Sequence, residues 1–96
     1  MKIAIYGKTF NNDFLEYIQQ VFDILKHEEI EVAVYKPFLQ FIDKFQQIKH
    51  DRFSVFENQD ELASDTKYVI SVGGDGTFLE AIPYALKYDV PVIGLN

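Results

Sequence analysis

Short apolar runs and helical stripes alternate along this chain from end to end. Lys2-Ile3-Ala4-Ile5-Tyr6 opens it as a run of strand length, closed by Gly7-Lys8-Thr9. Phe14, Ile18, Val21, Phe22 and Leu25 then recur at the three- and four-residue spacing of one helical face. Asn11, Asn12 and Asp13 offer caps for that helix, and Glu16 stands three residues after Asp13 as in a capping box. Lys26 and His27 suit the negative end of the same helix, where His27 reads as a surface residue. Ile30 to Tyr35 is β-branched and alternating, which predicts a second strand. Strand, helix and strand in this order make a βαβ unit with a right-handed crossover.

Phe38, Phe41, Ile42, Phe45 and Ile48 form another helical stripe, opened by Pro37 at a position suited to a first helical turn. A core-facing helix explains them better than an aromatic ligand box. The stretch from His50 to Phe56 has room for a short edge strand, and Glu57 to Asp65 is an acidic connector without metal-ligand spacing. Lys67 to Val72 reads as the central strand, with a helix from about Thr77 that buries Phe78, Ile82, Ala85 and Leu86. Pro83 falls inside that stripe and predicts a kink or a break into two short helices. Val92 to Asn96 is a last strand. Strands alternating with helices predict one α/β domain over residues 1–96: a Rossmann-like, open, mostly parallel sheet with helices on both faces.

Composition narrows the function classes. Hydrophobic residues make up 48% of the chain, with nine Phe and six Tyr, which is ample for a core. No apolar run approaches the roughly 20 residues that span a bilayer, and the opening run is too short for a signal peptide. A cytoplasmic location is the expectation. The absence of cysteine removes disulfides, thiolate zinc sites and a cysteine nucleophile. A formal charge of −6 argues against nucleic-acid or anionic-membrane binding. It leaves a small nucleotide open, because local amides and metal ions hold such ligands.

The chemistry concentrates in Val72-Gly73-Gly74-Asp75-Gly76-Thr77. Glycines there allow positive φ and let a ligand approach the backbone, and the amides that follow open a helix, where an anion is favoured. Asp75 adds negative charge at such a place, which points to work on a hydroxyl or a magnesium ion beside a phosphate. The same residues also make a plain tight turn. Physics alone leaves those two readings level. In an open parallel sheet the turn and Asn96 both fall on the carboxyl edge, where ligands bind. The Gly-x-Gly-x-x-Gly fingerprint is absent, which disfavours a conventional dehydrogenase. Gly7-Lys8-Thr9 lacks the earlier glycine of a phosphate loop, since position 2 is lysine, so Lys8 reads as a solvated loop residue.

Ile70-Ser71-Val72-Gly73-Gly74-Asp75-Gly76-Thr77-Phe78-Leu79, followed by Val92-Ile93-Gly94-Leu95-Asn96, resembles the amino-terminal part of the NAD kinases. Lipid kinases of the diacylglycerol and sphingosine type share the glycine block but follow it with different residues. The resemblance implies phosphoryl transfer to the 2′-hydroxyl of the adenosine ribose of NAD, giving NADP. It implies ATP or polyphosphate as donor, with a divalent cation, Mg²⁺ first. It places Asp75 beside the hydroxyl as the catalytic carboxylate, with Gly76 and Asn96 contacting NAD. Gly73, Gly74 and Thr77 would shape the donor-phosphate turn. Several members carry a basic residue where this chain has Glu80, so a charge contact to substrate is expected to be missing. A carboxy-terminal β-rich domain, absent here, and a homo-oligomer (dimer or tetramer) complete the implied enzyme, and these residues alone are expected to be inactive. The alternatives are a lipid kinase catalytic domain and a non-catalytic nucleotide-binding module.

Overall fold

The elements follow the expected alternation: β1 (Lys2–Gly7), α1 (Leu15–His27), β2 (Glu31–Tyr35), α2 (Lys36–Ile42), β3 (Ser54–Phe56), β4 (Thr66–Val72), α3 (Asp75–Leu86) and β5 (Val92–Leu95). The structure is a computed structural model that describes residues 1–45 and 53–95. All five strands are parallel in one sheet, in the order β3-β2-β1-β4-β5. The chain therefore builds outward from β1 to β3, then returns past β1 to lay down β4 and β5. Right-handed crossovers in opposite directions put their helices on opposite faces. That is what the packing shows, and the architecture is Rossmann-like.

On one face Ile18, Phe22 and Leu25 of α1 and Phe38 and Ile42 of α2 pack on Ile3, Ile5, Val32, Val34, Ile70 and Val72. On the other, Ala81 and Ala85 of α3, with Leu62 from the connector, cover Ala4, Tyr6, Phe56 and Val69. Successive residues of β1 and β4 thus serve alternate faces, both of them covered, which is why these strands carry apolar residues almost throughout. Phe38, Phe56, Ile5 and Ile18 are fully buried, and each contributes roughly 1.5–3 kcal/mol by leaving water.

Helix boundaries depart from the sequence pattern, and α2 ends at Ile42, before Phe45 of its expected stripe. The first helix starts at Leu15, because Asn12–Phe14 forms a 3-10 turn and neither Asn11 nor Phe14 supplies a side-chain cap. A capping box exists elsewhere, in the connector: Asn58 accepts from the Asp60 N–H at 3.0 Å, and Glu61 accepts from the Asn58 N–H at 3.2 Å. The third helix starts at Asp75, two residues before the expected Thr77, since Gly74 is its N-cap and accepts the first helical bond from Phe78 N at 3.0 Å. Pro83 does not divide that helix. It lies on the exposed side with Leu79, whose carbonyl loses its helical donor where water can replace it. Ile48 and His50 lie outside the described residues.

Candidate functional site

The direction of chain travel reverses between β1 and β4, so their carboxyl ends diverge toward helices on opposite faces. A crevice at that point is where open α/β sheets take ligands. Gly7, Val72 and Leu95 stand in register on neighbouring strands and mark this edge. The residues that follow Gly7 and Val72 are Lys8 and Gly73.

Gly73 leaves β4 at φ +141°, a conformation that side chains rarely tolerate. Its N–H donates to the Leu95 carbonyl at 3.0 Å, which ties the turn to β5. Thr77 packs over the turn: a Cβ on Gly73 would meet its Oγ1 at 2.9 Å. Gly74 and Gly76 differ, because a Cβ at either would meet nothing within 4 Å. Neither is glycine for want of room inside the fold. Gly94 of β5 lies close under Phe78, whose ring a Cβ would meet at 3.1 Å.

Asp75 is the first residue of α3 and is exposed. Its carboxylate makes no hydrogen bond or ion pair among the described residues. The N–H groups of Asp75, Gly76 and Thr77 precede the first helical bond and have no side-chain cap, leaving donors at the positive end of the helix. The turn therefore carries free amides and one exposed carboxylate at the carboxyl edge of the sheet. Of the residues predicted from sequence, Gly73, Gly74, Asp75, Gly76 and Thr77 share this turn, while Asn96 lies outside the described residues.

Two features of the edge were missed by sequence reasoning. Lys8 is not simply solvated: its Nζ lies 2.7 Å from Glu80 Oε1 on α3. Beside this pair is an aromatic cluster on the α3 face. The Tyr6 ring lies tilted 4.5 Å from Tyr35 and 5.3 Å from Tyr84, and Phe56 lies 5.7 Å from Tyr35. Burial pushes the Tyr6 hydroxyl up to about 12, with the Glu80 charge, Tyr35 and Tyr84 adding to the rise. Burial likewise raises Tyr84, helped by Tyr35 and Glu80. Tyrosines at 6, 35 and 84 had visible strand and helix positions, but no local motif links them.

Ser71, two residues before the turn, is buried with no partner for its hydroxyl among the described residues. A recess of about 500 Å³ lies near the opposite end of the strands, lined by Lys2, Glu31, Ser54 and Thr66 among others. It contains none of the glycine-turn residues. Among the described residues no group of three His, Asp or Glu side chains is arranged to hold a metal ion by itself. No helix among them is long and apolar enough to cross a membrane.

Comparison with known proteins agrees with this geometry. The family described as the ATP-NAD kinase N-terminal domain matches residues 3–96. The NAD kinase of Christiangramia forsetii is 37% identical over the whole chain, which covers 32% of that relative. The NAD kinase of Flavobacterium johnsoniae is 32% identical over the whole chain, again 32% of the relative. The NAD kinase of Pyrococcus furiosus is 27% identical, with 31% of it covered. The chain thus spans about a third of the length of these curated relatives. With its glycine turn at the crevice of a parallel sheet and a family match along almost its full length, this chain belongs to the ATP-NAD kinase N-terminal domain family.

Proposed function

We propose that the chain supplies the carboxylate and the phosphate-binding turn of an NAD kinase, which transfers a phosphoryl group from ATP or polyphosphate to the 2′-hydroxyl of the adenosine ribose of NAD. The observation that carries this reading is the free, exposed carboxylate of Asp75 on the first turn of α3, directly after the Gly73-Gly74 turn. A ribose hydroxyl is a poor nucleophile near neutral pH. A carboxylate within hydrogen-bond reach orients it and takes its proton as the new oxygen–phosphorus bond forms. The bond from that phosphorus to the donor's next bridging oxygen breaks, and ADP or a shortened polyphosphate leaves.

The free amides at the start of α3 suit the charge on the transferring group. Gly76 gives the acceptor a backbone to lie against, since no side chain stands there and open space surrounds its Cα. Asn96 is assigned to the acceptor side with it. Gly73, Gly74 and Thr77 are assigned to the donor side, where Gly73 and Thr77 hold the turn in shape.

Magnesium fits the donor set in a limited way. One exposed carboxylate cannot form a cage, but magnesium in kinases is held by one or two carboxylates together with substrate phosphates. Asp75 is the residue here that would take part. When bound, the ion neutralises charge on the donor phosphates.

The remaining contacts are proposed to come from the other two thirds of the polypeptide that the relatives possess, which also carries the subunit contacts of a cytoplasmic homo-oligomer. These 96 residues alone are accordingly inactive. The test is NADP formation by the full-length gene product with magnesium, ATP and NAD, followed by enzymatic cycling. NADP at useful turnover is expected. None from a folded protein would overturn the reading in favour of a lipid kinase, checked with diacylglycerol, or a binding module. Robust NADP production by residues 1–96 alone would overturn the inactive-fragment proposal.

A further inference from the structure

The Lys8–Glu80 pair joins the two sides of the crevice. Lys8 follows β1, whose helix lies on one face, and Glu80 belongs to α3 on the other. Gly7 is in register with Val72, so Lys8 and Gly73 leave adjacent strands side by side. The backbone of Lys8 is held from both directions. Behind it Gly7 fits against Phe38, where a Cβ would meet the ring at 2.9 Å. Ahead of it Phe10 is lodged among Phe14, Phe38, Phe41 and Phe45, at ring separations of 5.0 to 6.0 Å. The loop thus brings one cation to the edge at a fixed place.

The side-chain end of the pair is open. Lys8 retains 55% of its side-chain exposure and Glu80 43%, so a ligand can reach both. A half-exposed ion pair is worth little and exchanges readily for a better anion. A condensed phosphate chain is such an anion, with several charged oxygens where Glu80 offers one carboxylate. Glu80 keeps enough exposure for water to solvate it once Lys8 has left.

We propose that Lys8 is a phosphate-binding residue of the crevice and that Glu80 holds it in reserve, ceding it to a condensed phosphate chain when substrate enters. This rests on the kinase reading above. The phosphate chain has two possible sources, the donor triphosphate and the pyrophosphate of the dinucleotide. Both present the same chemistry to Lys8, and separate KM values tell them apart. Glu80 acts through Lys8 and is a positioning residue.

The experiment is steady-state kinetics on the full-length protein for wild type, Glu80→Gln and Lys8→Ala, with ATP and NAD varied in turn. Glu80→Gln frees the amine, and the KM of one of the two substrates falls about three- to tenfold. Lys8→Ala raises that same KM by a similar factor and weakens its dependence on salt. A shift in the ATP value assigns the donor chain; a shift in the NAD value assigns the dinucleotide. A purely structural pair would instead impair both variants alike. Changes of the same sign, or no change in either KM, overturn the proposal. Should Lys8→Ala loosen the loop, Lys8→Met keeps the aliphatic stem and replaces it. If the wild type makes no NADP, the kinase reading fails by itself. The exchange is then decided by calorimetric titration of inorganic tripolyphosphate into the same three proteins: tighter for Glu80→Gln and weaker for Lys8→Ala supports it, and equal affinities overturn it.

Discussion

Gly73 and Thr77 are packed so closely that a Cβ on Gly73 would stand 2.9 Å from Thr77 Oγ1 and 3.1 Å from its Cβ. The contact lies at the one glycine with positive φ, so space and backbone conformation restrict this position together. The position therefore accepts glycine far more readily than any other residue.

Gly73→Ala is expected to cost about 1–3 kcal/mol, from the strained φ and the displaced Thr77 side chain. Gly74→Ala meets open space at ordinary φ and should cost less than about 1 kcal/mol, the difference in N-cap preference. Denaturant midpoints of the two variants measure the contrast. Equal losses would show that Thr77 does not constrain the turn.

Gly76→Ala separates folding from function. Alanine is better than glycine inside a helix by up to about 1 kcal/mol, and nothing blocks its methyl group here. Stability should therefore hold or rise. NADP formation by the full-length variant should still fall about tenfold or more, because the methyl group occupies the path of the acceptor. Full activity would mean that the substrate does not lie against this backbone.

Asp75→Asn keeps the size of the side chain and removes its charge. Loss of a carboxylate at a helix start costs at most about 1 kcal/mol of stability. Turnover of the full-length enzyme should drop about 10²-fold or more if the carboxylate takes the ribose proton. Single-turnover rates with saturating NAD and ATP give the answer. Near-wild-type turnover would make the charge dispensable.

Tyr6 gives the fold an alkaline limit. Its hydroxyl ionises near 10.0 when unfolded and is pushed up to about 12 in the fold, chiefly by burial. Between those values the folded protein retains a proton that the unfolded chain gives up. This contribution is complete below pH 10 and is lost as the pH climbs toward 12. Unfolding followed at rising pH should show the decline, and Tyr6→Phe should flatten it. An unchanged slope in that variant would assign the effect to other groups.

Much of this was legible in the sequence because it is local. β1 and β4 are covered on both faces and so read as apolar runs, and α1 shows its buried stripe at Ile18, Phe22 and Leu25. The glycine turn was legible because its residues are consecutive. Helix starts were less so: Asp13 and Glu16 had the form of a capping box, yet the chain takes a 3-10 turn there and Phe14 packs 6.0 Å from Phe10. The same form at Asn58 and Glu61 was overlooked inside an acidic connector. That connector is fastened more widely, with Lys87 Nζ 2.6 Å from Asp60 Oδ1 and the Tyr88 hydroxyl donating to the Leu62 carbonyl at 3.0 Å. The Lys8–Glu80 pair and the Tyr6–Tyr35–Tyr84 cluster were illegible for a different reason. They join residues distant in sequence, and only the strand order brings those residues together.

The register of Gly7 with Val72 has a consequence for how the crevice comes into being. These two residues meet across most of the chain, with the whole β1-to-β3 half folded between them. Parallel pairings of such sequence separation are slow to form, because the loop must be closed before any contact rewards it. Neither wall of the crevice exists until that pairing is made. A chain that has folded only its β1-to-β3 half therefore has no crevice, and the glycine turn has no neighbouring strand to stand against.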